Sequence, residues 1–191
     1  MNQRLDHLTQ LLQQRVLCLD GATGTWLQDQ NLGPQDFGGE AFDGCNEHLV
    51  LTRPELVLDL HRSYLRSGAD IVETNSFGST AVVLAEYPPL EQQAYAISRA
   101  AAELARQACA EFDSTAKPRF VAGSMGPTTK ALSVTGGITF NELVEAFYLQ
   151  ASGLIDGGAD YLLLETCQDT RNIKAGLLAI DRLERERDLR L

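Results

Sequence analysis

Gly68-Ala-Asp-Ile-Val-Glu-Thr-Asn-Ser-Phe77 is echoed later in the chain by Gly157-Gly-Ala-Asp-Tyr-Leu-Leu-Leu-Glu-Thr166. In both, a helical pattern ends at glycine, an apolar run follows, and Glu-Thr closes the run. Two further apolar runs share the context: Val16-Leu-Cys-Leu19 before Asp20-Gly21, and Phe120-Val-Ala122 before Gly123-Ser-Met-Gly-Pro127. All four lack a polar alternate position, which predicts parallel strands buried on both faces.

Helical patterns fill the intervals. A leading helix is expected over 5–14. Thr52-Arg-Pro-Glu55 has capping-box spacing, with Leu56, Leu60 and Tyr64 on one stripe up to Gly68. Leu90 to Phe112 is alanine-rich. Thr139-Phe-Asn-Glu142 is a second capping box, opening a helix through Leu143, Phe147, Ala151 and Leu154. A last helix starts near Thr170. The order is a helix (5–14) followed by four β/α units over 16–190, read as one domain, 1–191. An open doubly wound sheet and a (β/α)8 barrel both fit. A barrel needs four more units and about 250 residues in total, and the sequence stops where a fifth strand would begin.

Composition narrows the partners. The formal charge of -10 argues against nucleic acid and anionic membrane. Cys18, Cys45, Cys109 and Cys167 are scattered, with no C-x-x-C pair, as expected of reduced thiols in a cytoplasmic protein. Met1 to Gln14 reads as neither signal peptide nor anchor.

Candidate chemistry collects at the strand ends. Asp20 is a ligand-binding carboxylate or a turn cap. Gly21 to Thr25 reads as a tight turn with exposed N–H groups. Glu73 and Asn75, two apart on a strand, share a face and either touch a ligand or order the loops. Asn46 and Glu47 anchor their loop or, for Asn46, face the substrate. Cys45 and His48 have ligand-like spacing, but one pair does not make a zinc site. Gly123, Ser124, Gly126 and Thr128 form either a ligand cradle or a plain turn. Glu165 ends the fourth run. Together Asp20, Glu73 and Glu165 suit a cationic amino group, a hard metal or acid/base work.

Six segments in this order resemble the homocysteine S-methyltransferase family. They are Asp20-Gly-Ala-Thr-Gly-Thr25, Gly44-Cys-Asn-Glu47, Leu51-Thr-Arg-Pro-Glu55, Gly68 to Phe77, Gly123-Ser-Met-Gly-Pro-Thr128 and Gly157 to Thr166. The likeness is strongest to the homocysteine-binding domains of cobalamin-dependent methionine synthases. It implies a (β/α)8 barrel of which this chain holds the first four units. It also implies homocysteine at the carboxyl ends of the strands, with Asp20 and Glu165 near its amino group, Gly21 in the same pocket, and Glu73, Asn75 and Asn46 touching ligand or ordering loops. Gly123 to Thr128 becomes part of the pocket mouth.

Zinc and methylcobalamin are the cofactors the resemblance implies for the full-length protein, with betaine or S-methylmethionine as alternative donors. The family's three zinc cysteines lie on later strand ends, so no residue of this chain is expected to hold metal, and these residues alone are expected to be inactive. Cobalamin- and folate-binding domains are the implied partners within a longer chain. Two other readings remain: a non-catalytic truncated barrel that self-associates through open strand edges, and a different barrel lyase or aldolase.

Overall fold

The computed structural model describes residues 3–132, 134 and 136–190. The ends of the 1–191 domain reading, Met1, Asn2 and Leu191, lie outside the described residues. The architecture is α/β. Three parallel strands, β1 (Ile71–Glu73), β2 (Phe120–Met125) and β3 (Tyr161–Leu164), form one sheet in chain order. Ile71 pairs with Phe120 and Glu73 with Ala122; Ala122 pairs with Tyr161 and Met125 with Leu164.

The expected first strand, 16–19, forms a single parallel bridge, Leu19 to Ile71, rather than a ladder. It is not buried on both faces either: Val16 is 86% exposed and Leu19 42% exposed. The segment lies at the sheet's edge, where among the described residues one flank meets no further strand. Its few bonds run through Cys18 O, which accepts from Asp70 N and Ile71 N, and through Asp20 N, which donates to Ile71 O.

Helices cover one face. They are α4 (Pro54–Ser67), α6 (Ala94–Phe112), α7 (Phe140–Asp156) and α8 (Thr170–Arg187), with α6 packed between α4 and α7, α8 on α7, and the short α5 (Ala81–Leu84) also against α7. The close crossing of α6 and α7 depends on missing side chains. A Cβ on Gly157 would sit 2.3 Å from Arg99 O, and one on Gly153 2.6 Å from Tyr95 O. The core on this side joins Val72, Val121 and Met125 to Leu143, Phe147 and Leu154.

The caps differ from one another. Thr139 accepts from Glu142 N and Glu142 accepts from Thr139 N, completing the expected box. At the start of α4 there is no side-chain cap. Thr52 instead closes a short helix, α3 (Leu49–Thr52), and its hydroxyl donates back to His48 O at 3.3 Å. Arg53 breaks the two helices apart, in line with the bias against αR before proline.

The opposite, concave face is filled from below by α1 (Gln3–Leu12). Leu8, Ile71, Phe120 and Ala122 form its buried centre, with Leu5, Leu11, Leu17, Tyr161 and Leu163 around it. Inward residues therefore alternate along each strand, as the pleat requires.

The repeated Gly-Ala-Asp has one structural role at both sites. Asp70 accepts from Cys18 N at 2.9 Å and is forked by Arg15 at 2.9 Å. Asp160 accepts from Val121 N at 2.8 Å and pairs with Arg4 and Arg106, both at 2.6 Å. Each aspartate, at its strand's entry, takes an amide of the preceding strand.

Asp160→Ala leaves the buried Val121 amide without its acceptor and frees two part-exposed arginines, and is expected to lose about 1–3 kcal/mol of stability in urea denaturation. Asp181→Ala, which deletes the exposed Arg185 pair, is expected to lose less than about 1 kcal/mol.

Candidate functional site

Above the apolar floor, the inward positions turn polar: Ile71 gives way to Glu73, Ala122 to Ser124, and Leu163 to Glu165. With Asp20 they line an open cavity of about 520 Å³ at the carboxyl ends of the strands. Gly21, Asn46 and Asn75 line it too, as do Phe77 and Gly24. The structure thus brings together Asp20, Gly21, Asn46, Glu73, Asn75, Ser124 and Glu165.

Local geometry fixes each wall. Both Asp20 oxygens accept from Glu73 N, at 3.1 Å. Gly21 sits under Tyr64, whose ring would stand 3.0 Å from a Cβ there, and Tyr64 donates to Ala22 O at 3.1 Å. The expected turn at 21–25 contains the start of a short helix, α2 (Thr23–Gln28). Asn75 donates to Asn46 O at 2.8 Å, and Glu47 accepts from Gly78 N at 2.8 Å, tying two loops together. The Ser124 hydroxyl donates to Glu165.

Three other named residues stand elsewhere. Gly123 faces the helices, where a Cβ would lie 2.9 Å from Leu162. Gly126 backs onto the Phe77 ring, 2.6 Å from a built Cβ, and donates to Phe77 O at 2.9 Å. Thr128 bonds Asn172 and lines a separate hollow with Thr166 and Asp169.

Beneath the cavity lies a polar web that the sequence reading missed. Thr74 and Ser76 share a 2.6 Å hydrogen bond, Ser76 donates to Ser124 O, and Gln150 of α7 donates to Ser76 O, both at 2.8 Å. The signal for it was the run Thr74 to Thr80, unusually polar for a buried segment.

Electrostatically, the cavity is unbalanced. Among the described residues, none of the ion pairs includes Asp20, Glu73 or Glu165. Burial, then the Glu73 and Glu165 charges, push the Asp20 carboxyl up to about 8, against the pull of the Glu73 amide. Burial and Glu165 push Glu73 up to about 7. A cationic ligand would relieve this repulsion.

The same residues do not make a metal centre. Among the described residues, no group of three or more His, Cys, Asp or Glu is placed to hold a metal ion. Cys45 and Cys109 are buried and their thiols are pushed up to about 11 and about 12 by that burial. His48 points its Nδ1 at Phe37 O, 2.8 Å away. No helix among the described residues is long and apolar enough to cross a membrane.

The homocysteine S-methyltransferase family's sequence model matches residues 17–189. The chain belongs to the homocysteine S-methyltransferase family. Its fold is similar to that of the homocysteine methyltransferase MmuM from Escherichia coli. The oxidized form of MmuM shares 26% identity over 92% of this chain and 61% of MmuM, at a TM-score of 0.74. The metallated form shares 24% identity over 93% and 63%, also at 0.74. The apo form shares 25% over 92% and 59%, at 0.68. The chain thus spans about three fifths of the length of these family structures.

Asp20 and Glu73 make stability fall with rising pH. Their native proton affinities lie above those of an unfolded chain, near pH 4. Between about pH 4 and 8 the native state binds more protons than the unfolded one, so the stability they add at low pH is lost as pH rises through about 7 and 8. Denaturant titrations at about pH 5 and about pH 9 are expected to show that loss, and Asp20→Asn is expected to shrink it.

Proposed function

We propose that this chain forms the amino-group side of a homocysteine pocket, in an enzyme that methylates the homocysteine thiol to give methionine. The observation that carries the reading is the convergence of Asp20, Glu73 and Glu165 on one cavity with no cation paired to them among the described residues. An α-ammonium group supplies the missing positive charge. Asp20 and Glu165 accept its N–H bonds, while Ser124 holds Glu165 and the Glu73 amide holds Asp20. The Gly21 backbone bounds the pocket, and Asn75 with Asn46 sets its loop wall.

In this reading residues 1–191 are one part of a (β/α)8 barrel, with four β/α units. A zinc ion, where the complete enzyme holds one, would favour the thiolate by lowering the pKa of the homocysteine thiol. The described residues offer it no ligand set, and nothing in this chain's part of the pocket depends on it. The donor is methylcobalamin, carried with folate on partner domains of a methionine synthase. Betaine and S-methylmethionine are the alternative donors, and methionine formation from each of the three separates them.

Calorimetric titration tests the pocket. L-Homocysteine is expected to bind, and 4-mercaptobutanoate, which lacks the amino group, is not. Asp20→Asn and Glu165→Gln are each expected to weaken homocysteine binding by about tenfold or more, the scale of a lost charged hydrogen bond. Equal affinity for the two ligands would remove the amino-group assignment.

A further inference from the structure

Gln150 is fully buried on α7, on a helix whose other buried residues include Leu143, Phe147, Ala151 and Leu154. A carboxamide in such a place costs free energy unless it is hydrogen-bonded. We propose that Gln150 is a positioning residue for the carboxylate pocket: through Ser76 it holds Ser124, and through Ser124 it holds Glu165, in the geometry that receives the ligand. The ligand's part in this rests on the homocysteine reading above, but the hold on Ser124 does not.

The chain of bonds starts where the backbone ladder stops. Glu73 and Ala122 are the last paired residues of β1 and β2, and Thr74 N donates to Ala122 O. Beyond that point side chains take over. Thr74 Oγ1 accepts from Ser124 N at 2.9 Å, and Ser76 Oγ donates to Ser124 O at 2.8 Å. The Ser76 proton is thereby engaged, so Thr74 is the donor in the 2.6 Å bond between the two hydroxyls. Together they clasp both backbone groups of Ser124. Its own hydroxyl is left to donate to Glu165.

Gln150 backs this clasp from the helix layer. Its Nε2 donates to Ser76 O at 2.8 Å and to Ser79 Oγ at 3.1 Å. A carbonyl only accepts, which fixes the end of the amide that faces the segment. β1 has already ended at Glu73, so a side chain takes the carbonyl that a strand would have taken. Ser76 and Ser79 are both fully buried, where bulk water cannot replace the lost donor. Ser79 is bonded in turn to Ser98 of α6 at 2.8 Å. The segment held in this way also carries part of the cavity wall, because Asn75 and Phe77 flank Ser76 and line the cavity.

The test is made on the whole chain. Gln150→Met keeps the length and bulk of the side chain and removes both donated hydrogen bonds. Exchange of the Ser124 amide is expected to quicken about fivefold or more relative to that of Val121 on the same strand. Affinity for L-homocysteine in calorimetric titration is expected to fall about fivefold or more, the scale of a lost hydrogen bond. A glutamine that only filled its space predicts neither change, because methionine fills the same space. Native affinity in a folded variant overturns the proposal. Should Gln150→Met not fold, Ser76→Ala cuts the same chain one link further on and leaves the Ser76 carbonyl to Gln150. The same two changes are then expected, and their absence overturns the proposal. If the native chain ignores homocysteine, the ligand reading falls by itself, and the exchange ratio alone decides the hold on Ser124: a quickened Ser124 amide keeps it, an unchanged one removes it.

Discussion

The aspartate at a strand's entry holds this structure in register. A parallel strand can slide along its neighbour, and a slip of one residue turns every side chain to the opposite face. Asp70 prevents this by accepting the amide of Cys18, and Asp160 by accepting the amide of Val121. The middle joint uses Arg119 instead, which reaches the carbonyl of Ala69 while its own amide donates to Asp113 at 2.9 Å. Burying Asp160 is costly unless its charge is met and its oxygens are bonded. Two arginines and a backbone amide satisfy both conditions. A slip at either joint would aim Glu73 or Glu165 into the apolar helix layer, so the carboxylate pocket depends on clamps at the far end of the same strands.

The two ends treat the same chemical group in opposite ways. At the entry, the Arg15 hydrogen bonds hold the Asp70 carboxyl below its ordinary range, against the effect of burial. At the exit, burial and like charges hold Asp20 and Glu73 above theirs. Burial acts in the same direction at both. The difference is whether a cation stands beside the carboxylate. Arginines are supplied where the structure needs the charge fixed. None is paired at the exit among the described residues, which leaves a preorganised demand for positive charge in the open cavity.

Much of this was legible in the sequence because it follows periodicity. Apolar runs ending in Glu-Thr announced strands with carboxylates at their exits, and Thr139 with Glu142 announced a cap that forms as written. What escaped depended on neighbours remote in sequence. Val16 to Leu19 has the composition of a central strand, yet it lies at an edge and keeps one bridge. Thr52 has the spacing of a cap, but a short helix before it claims its hydroxyl. Gly123 and Gly126 look alike in a loop motif, and only the packed structure shows one against the helices and the other against Phe77.

The division of the concave face follows from a single feature of each strand. Inward side chains recur every second residue, so a short strand places only two or three of them. In β1 the pair is Ile71 then Glu73, in β2 Ala122 then Ser124, and in β3 Leu163 is followed by Glu165 just past the strand's end. The change from apolar to polar comes late in every strand, so the changes form a continuous boundary across the sheet. Below it, Leu5, Leu8 and Leu11 of α1 find matching apolar partners. Above it, the same helix would meet carboxylates and would bury them unpaired, a cost of several kcal/mol. The leading helix accordingly lies across the strand entries, tied to Asp160 through Arg4 at its start and to Asp70 through Arg15 just past its end, and the upper face stays open as a cavity.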